Sequence, residues 1–376
     1  MASIRKRTLD SGKQVWIVDY KDQTGKRRNK NFERKKEAEA FLDDAKRQLR
    51  DGTFVHEDAT TTVGKAADIY IASSSVKTLE PTTQSYYEQN VRLYIKPHLG
   101  DVLLTKLTEP MIREFLDDIV EERSAAMAKR VLGTLNRVIK DAQRRNLVGR
   151  NIIADKSIKA PRAEPFVKRM PERHELTGLL NQTDSRGRAL LMTAMLTGMR
   201  QGELRALTWD DVRFEDRIIR VRKARRSDGS VKGTKSASGY RDIPISDALS
   251  LELKKWRLQC PVGAKGLVFP NGKGNVESPS NIRQRIFIPA MKAIGLTTEV
   301  LTDTGKKVDK PEFRFHDLRH AAAALFIEQG MGPKRIQELM GHSSIQVTFD
   351  IYGYLFRDPE ADAAAVDAIS AKLLGA

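Results

Sequence analysis

Near its C-terminal end the chain reads His316-Asp317-Leu318-Arg319, then Gly341-His342, then Tyr352. Further upstream, Thr197-Gly198-Met199-Arg200-Gln201-Gly202-Glu203-Leu204 supplies a second arginine. Two arginines, two histidines and a tyrosine are the groups needed to hold a phosphodiester and attack it with a phenol. A guanidinium keeps its charge at neutral pH and grips two non-bridging oxygens at once. An imidazole transfers a proton or donates to an oxyanion. A phenol, with a pKa of about 10, needs that cationic surrounding to stabilise its developing charge and the pentacoordinate phosphorus. The chemistry expected is breakage and rejoining of DNA strands without a metal.

The spacing says how these groups could converge. Arg200 follows an apolar helix, Ala189–Leu196, that breaks at Thr197-Gly198; Gly202 and Leu204 then restart a helix, which puts Arg200 at an inter-helical turn. Glu203 is placed to pair with that arginine or to orient a neighbouring base. His316 and Arg319 are three residues apart at the start of the apolar run Ala321–Phe326, so both side chains can point at one spot. His320, four after His316, would allow a two-histidine metal pair, but no glutamate follows His316 as in a zinc HExxH helix and no third ligand is evident. No metal and no cofactor are expected. Gly341-His342-Ser343-Ser344 reads as a helix stop and a new cap, with a short helix, Ile345–Ile351, leading to Tyr352. Tyr354 is a second phenol close by. The leaving 5′-oxygen needs a proton, and Lys235 is chosen as its donor because a hairpin tip can carry an ammonium into the minor groove. Lys232 is the alternative.

Several elements must position these groups. Strand-forming Lys13–Tyr20, turn residues Asp22–Gly25 and a return strand Lys26–Phe32 precede a helix whose Ala38, Phe41, Leu42, Ala45 and Leu49 share one face. Residues 1–55 thus read as a small sheet-and-helix module. Its first 50 residues hold 15 Lys/Arg against 8 Asp/Glu, and Lys26, Arg27, Arg28 and Lys30 are candidate DNA contacts. Residues 63–153 read as all-helical: Thr108-Glu109-Pro110 signals one helix start, and Ser124 caps a longer helix ending before Gly149. On the polar side of that helix Arg137, Lys140 and Arg144 are further candidate phosphate contacts. Residues 154–170, with two prolines and no period, read as a basic linker extended across DNA. From 171 to 356 a mostly helical domain contains a small sheet, with Ile218–Val221, Tyr240–Ile245 and Val231–Thr234 as strands; residues 357–376 form an Ala-rich tail helix. The fold class expected is mainly α with small β-sheets (α+β).

Composition narrows the partners. Lys and Arg total 66 against 49 Asp and Glu, a formal charge of +17, and a surplus of that size favours a polyanion, with nucleic acid the usual one. Cys260 is the only cysteine, which excludes a disulfide framework and a CxxC-type zinc site. The N-terminus lacks the apolar core of a signal peptide and no stretch is long and apolar enough to span a membrane. A cytoplasmic protein at the bacterial nucleoid is expected.

With Arg200, Lys235, His316-x-x-Arg319, Gly341-His342 and Tyr352 assembled in order, the chain resembles the tyrosine recombinases, specifically phage-type integrases. The resemblance is strongest over 171–356; residues 63–153 resemble the family's core-type DNA-binding domain and 1–55 its arm-binding AP2-like module. It implies Tyr352 as nucleophile, forming a 3′-phosphotyrosyl link and freeing a 5′-hydroxyl. Arg200, His316, Arg319 and His342 would activate the phosphate, and Lys235 would be the general acid. It also implies double-stranded DNA with core-type and arm-type sites as partner. Four protomers would exchange strands through a Holliday junction, the tail after Tyr352 docking on a neighbour. A DNA-bending host protein and an excision factor are further expected partners. Two other readings stand beside it: a type IB topoisomerase using the same chemistry to relax supercoils, and a catalytically inactive DNA-binding regulator.

Overall fold

The computed structural model describes residues 3–8, 13–22, 25–51, 54–56, 60–154, 158–160, 169–225, 231–233, 239–263, 265–302, 305–356 and 359–374. They form two compact units, Met1–Phe166 and Val167–Ala376, mainly helical with small sheets, the α+β class expected.

In the first unit, strands β1 (Ser3–Thr8), β2 (Gln14–Lys21) and β3 (Arg27–Phe32) make an antiparallel sheet in sequence order, with Trp16 opposite both Lys6 and Phe32. Helix α1 (Lys35–Arg50) lays Ala38, Leu42 and Ala45 against Val18 and Tyr20, with Phe54 completing this small core. Strand alternation sorts the basic run: Arg27 is exposed, whereas Arg28 is half-buried and donates to Asp22 at 2.9 Å. The Lys30 ammonium sits 5.0 Å from the Phe41 ring centroid, and Lys26 is exposed just before β3.

The helices that follow are α2 (Val63–Ala72), α3 (Pro81–Asn90), α4 (Glu109–Glu122) and α5 (Ala125–Arg144). They bury Val63, Ile95, Ile112, Phe115, Ile119, Val131, Leu135 and Val138 together. Ser124 caps α5 as expected, its Oγ accepting from the Met127 N–H at 3.2 Å. Thr108 stands at the N-cap of α4 but its side chain makes no capping bond; Pro110 in the first turn, where an N–H would have no partner, is the feature that marks this start. Asn146, at φ 57°, turns the chain after α5, a position that asparagine tolerates. Ile158, inside the expected linker, is buried in this helical core; 155–157 and 161–168 lie outside the described residues.

The second unit begins with α6 (Arg173–Asn181) and α7 (Ser185–Thr197), then a single turn, α8 (Gln201–Leu204). Strands β4 (Val212–Arg213), β5 (Ile218–Val221) and β8 (Arg241–Pro244) form one antiparallel sheet, and β6 (Lys223–Arg225) pairs with β7 (Val231–Gly233) in another. Helices α9 (Asp247–Arg257) and α10 (Ile288–Ala293) pack with α7 and the sheet around Leu190, Leu191, Ile243, Leu253, Phe269 and Phe287. A two-stranded hairpin, β9 (Thr297–Leu301) with β10 (Lys307–Pro311), leads into α11 (Asp317–Glu328), α12 (Pro333–Met340), α13 (Ile345–Tyr352) and α14 (Pro359–Leu374). Two π-turns, Val91–Ile95 and Ile282–Phe287, each run into a proline, Pro97 or Pro289. Proline offers no N–H and crowds the carbonyl four residues back, and a widened turn relieves both conflicts.

Candidate active site

The C-terminal end of α12 organises the site. A helix leaves its last carbonyls without intrahelical donors, and they carry the negative end of the helix dipole. Here each one is taken. Gly341, left-handed at φ 63°, turns the chain so that its own N–H donates to Glu338 O at 3.0 Å, while the His342 N–H donates to Gln337 O at 3.1 Å. The next three carbonyls receive three guanidiniums: Leu339 O accepts from Arg241 Nε at 2.7 Å, Met340 O from Arg319, and Gly341 O from Arg200 at 2.9 Å. Three arginines from three separate segments therefore converge on one chain reversal.

Opposite them stands the end of α7. Gly198 is left-handed at φ 62°, and a Cβ there would lie 2.5 Å from Met340 Sδ. Its carbonyl accepts from the other arm of Arg319. Arg200 follows at the N-cap of α8, where its backbone N–H donates to Glu203 at 2.8 Å and its guanidinium to the same carboxylate at 3.1 Å. Glu203 is also gripped through both oxygens by Arg241, at 3.1 and 2.8 Å. Burial pushes the Glu203 carboxyl up, but the hydrogen bonds and charge of Arg241 and the charge of Arg200 outweigh it and hold it below the usual range. Of the two alternatives raised for Glu203, pairing with the arginine is the one observed.

The three guanidiniums differ in access. Arg241 and Arg319 are buried, whereas the Arg200 side chain keeps 42% of its surface open. Burial, then the charge of Arg200, pulls Arg319 down to about 9, still protonated at neutral pH.

Tyr352, the last residue of α13, points inward and is 1% exposed; Tyr354, in the following turn, is 59% exposed. The two phenols are thus separated by environment. The Tyr352 hydroxyl is 2.7 Å from His320 Nδ1, and its ring stacks on His342 with centroids 6.3 Å apart. Burial raises Tyr352 to about 12, with the charge of Arg319 acting the other way. His342 is buried, with Nδ1 2.9 Å from Thr348 Oγ1; burial, then Arg319, Arg200 and Arg241, lowers it to about 4, so the ring is neutral at neutral pH. His316 lies at the N-cap of α11, exposed, its ring edge-on to His320 at 5.4 Å.

The structure thus brings Arg200, Glu203, Arg319, His342 and Tyr352 together, with His316 next to His320 at the margin. Lys235 lies outside the described residues; Lys232 is on β7, opposite Ala224. Residues 169–356 match the family model described as Phage integrase family, and residues 63–158 match that of the Phage integrase central domain. The chain belongs to the phage integrase family. It is a tyrosine recombinase, an enzyme that breaks and rejoins DNA by transesterification. Among its relatives, the ICEBs1 integrase of Bacillus subtilis (strain 168) is 26% identical, the match covering 79% of this chain and 80% of the relative. The integrase of Escherichia phage lambda is 25% identical, over 77% of this chain and 75% of the relative. The fold is similar to that of the Tn1549 transposon integrase in complex with a circular intermediate DNA (TM-score 0.68, 18% identity, 82% of this chain and 100% of that one). It is also similar to that of a lambda integrase tetramer bound to a Holliday junction (TM-score 0.60, 22% identity, 90% and 95%). Relatives named as integrases and recombinases do not favour the topoisomerase or inactive-regulator readings.

Sequence reasoning missed two residues of this integrase site. Arg241 alternates with Ile243 and Ile245 in Arg241-Asp242-Ile243-Pro244-Ile245, so a charge stands on the buried face of a strand. That conflict of pattern was a readable signal that it has a partner. His320 was weighed only as a metal ligand, although it opens the apolar run that packs α11.

Proposed function

We propose that this enzyme performs site-specific integration or excision of a phage or genomic island, with Tyr352 as nucleophile. The Tyr352 oxygen attacks the scissile phosphorus, the bond to O5′ breaks, and a 3′-phosphotyrosyl link and a free 5′-hydroxyl result. Arg200 and Arg319 hold the non-bridging oxygens. His342 is neutral, and in the tautomer in which Nδ1 accepts from Thr348 its ring hydrogen is on Nε2, placed to donate to a phosphate oxygen. His316, exposed at the helix start, contacts the phosphate from the open side. Lys235 protonates O5′. The observation that carries this reading is the inward Tyr352 beside Arg319, against the outward Tyr354. Because the phosphotyrosyl bond retains the energy of the phosphodiester, rejoining requires neither ATP nor a metal.

In the same proposal residues 1–55 bind arm-type sites and residues 63–153 bind the core-type site. Four protomers act together through a Holliday junction, which the likeness to the lambda integrase tetramer supports. Val366, Ile369 and Leu373 are exposed on α14 at spacings of three and four, an apolar stripe suited to docking on a neighbouring protomer. A DNA-bending host protein and an excision factor set direction, and the enzyme works at the nucleoid; no helix among the described residues is long and apolar enough to cross a membrane. The test is a nicked duplex spanning the junction between the element and its host DNA. Tyr354→Phe should still trap a covalent adduct and Tyr352→Phe should trap none; the reverse pattern overturns the assignment.

A further inference from the structure

The Tyr352 hydroxyl must lose a proton as it attacks, and it is nearly sealed from water. The acid–base group in contact with the reacting oxygen is His320, with Nδ1 at 2.7 Å, the distance at which a general base takes a proton. His342 flanks the phenol by its ring face and has its own Nδ1 turned to Thr348. His316 stands further out, with its ring edge-on to that of His320. Along α11 the two histidines therefore run from the buried phenol to the exposed mouth of the site.

We propose that His320 is the general base that activates Tyr352, an assignment that rests on Tyr352 being the nucleophile. The neutral ring, with its hydrogen on Nε2, accepts the phenolic hydrogen at Nδ1 as the bond from Tyr352 Oη to phosphorus forms. The bond from phosphorus to O5′ breaks, and O5′ takes its proton from a separate donor, Lys235 in the reading above. In the rejoining step the incoming 5′-hydroxyl attacks phosphorus and gives its proton back to the donor that served it, Lys235. The bond from phosphorus to Tyr352 Oη breaks, and the His320 proton returns to the departing Tyr352 oxygen. One imidazole thus serves both directions, and its place in the buried half of the site keeps the transferred proton from bulk water.

A merely positioning role would look different in four versions of the full chain: His320 or His320→Asn, each with Tyr352 or with 3,5-difluorotyrosine at position 352. Asparagine keeps a hydrogen-bond acceptor near the Nδ1 position but cannot hold the proton, and fluorination makes the phenol acidic enough to need less help. The readout is the single-turnover rate of covalent adduct formation on the nicked junction duplex at neutral pH, with DNA affinity by gel shift and thermal melting as controls. We expect His320→Asn to bind DNA like the parent and to form adduct about 100-fold more slowly or worse. Difluorotyrosine should restore at least about tenfold in His320→Asn while changing the parent little. An His320→Asn rate within about threefold of the parent overturns the proposal, as does a deficit that difluorotyrosine leaves untouched. The difluorotyrosine arm keeps the test decisive even where asparagine loosens local packing. Failure of the nucleophile assignment itself would be read separately, as an adduct persisting in Tyr352→Phe.

Discussion

At the residue scale the site is decided by which charges are buried with partners and which are left open. Arg241 and Glu203 are both buried and bonded through two contacts, so losing Arg241 leaves the buried Glu203 with only the half-open Arg200 as partner. Breaking a buried pair of this kind costs about 3–5 kcal/mol. Arg200 is open to solvent and bonded to the same carboxylate, so its loss leaves Glu203 still paired with Arg241. The variants should separate: Arg241→Ala lowers the thermal midpoint by many degrees, while Arg200→Lys melts close to the parent and forms adduct far more slowly. Equal melting of the two would show that the Arg241 pair is not the support of the site. His342 gives a second prediction. Its folded pKa, about 4, lies below the usual value of about 6.5, so the unfolded chain binds the proton more readily. The stability it contributes is present above about pH 6.5 and is lost as pH falls toward 4, by up to roughly 3 kcal/mol. Melting curves from pH 7 to 4.5 should fall more steeply for the parent than for His342→Gln, which cannot titrate; parallel curves would discount the buried imidazole.

At the element scale the catalytic groups are fixed by how helices end. Two left-handed glycines, Gly198 and Gly341, expose the carbonyls that Arg319 and Arg200 hold. Gly198→Ala would place a methyl group against Met340 and force an unfavourable backbone, at about 1–2 kcal/mol. It should reduce adduct formation by more than it weakens DNA binding, because the displaced carbonyl belongs to Arg319; a proportional loss of both would point to general destabilisation. The same scale explains what the sequence made legible. The TGMRQGEL and HDLRH strings and the Gly341-His342 stop announce helix ends, and the structure has turns there. The β9–β10 hairpin went unread: its cross-strand pair of Val300 and Val308 faces no core, so no buried alternation marks it. β1 was equally silent, because Ser-Ile-Arg-Lys-Arg-Thr offers the small core a single apolar side chain, Ile4, and no alternation. Arg241 was given no role and His320 only that of a possible metal ligand, because sequence spacing cannot say that a strand and a helix meet at one carboxylate and one phenol.

At the scale of the whole molecule, charge is the property that composition could give, and the helical core sorts it. On α5, Val131, Leu135, Val138, Ile139 and Ala142 are buried, while Arg137, Lys140 and Arg144 are exposed at spacings of three and four. These three share a face by helix geometry, and Arg137 also lies 5.7 Å from the Tyr87 ring centroid, which restrains its direction. A basic face of this kind could be only a solvated surface or could lie along a phosphate backbone, and salt distinguishes the two. Each phosphate neutralised releases counterions, so the slope of log affinity against log salt changes by about 0.9 per contact. Replacing Arg137, Lys140 and Arg144 together by glutamine should make that slope shallower by about 2 to 3, and should weaken specific and unrelated duplexes alike. Melting should change little, because all three are exposed and only Arg137 touches the core, at the Tyr87 ring. An unchanged slope would mean that this face of the helix is turned to solvent rather than to DNA, and that the core-type contacts must be sought on another element of the bundle.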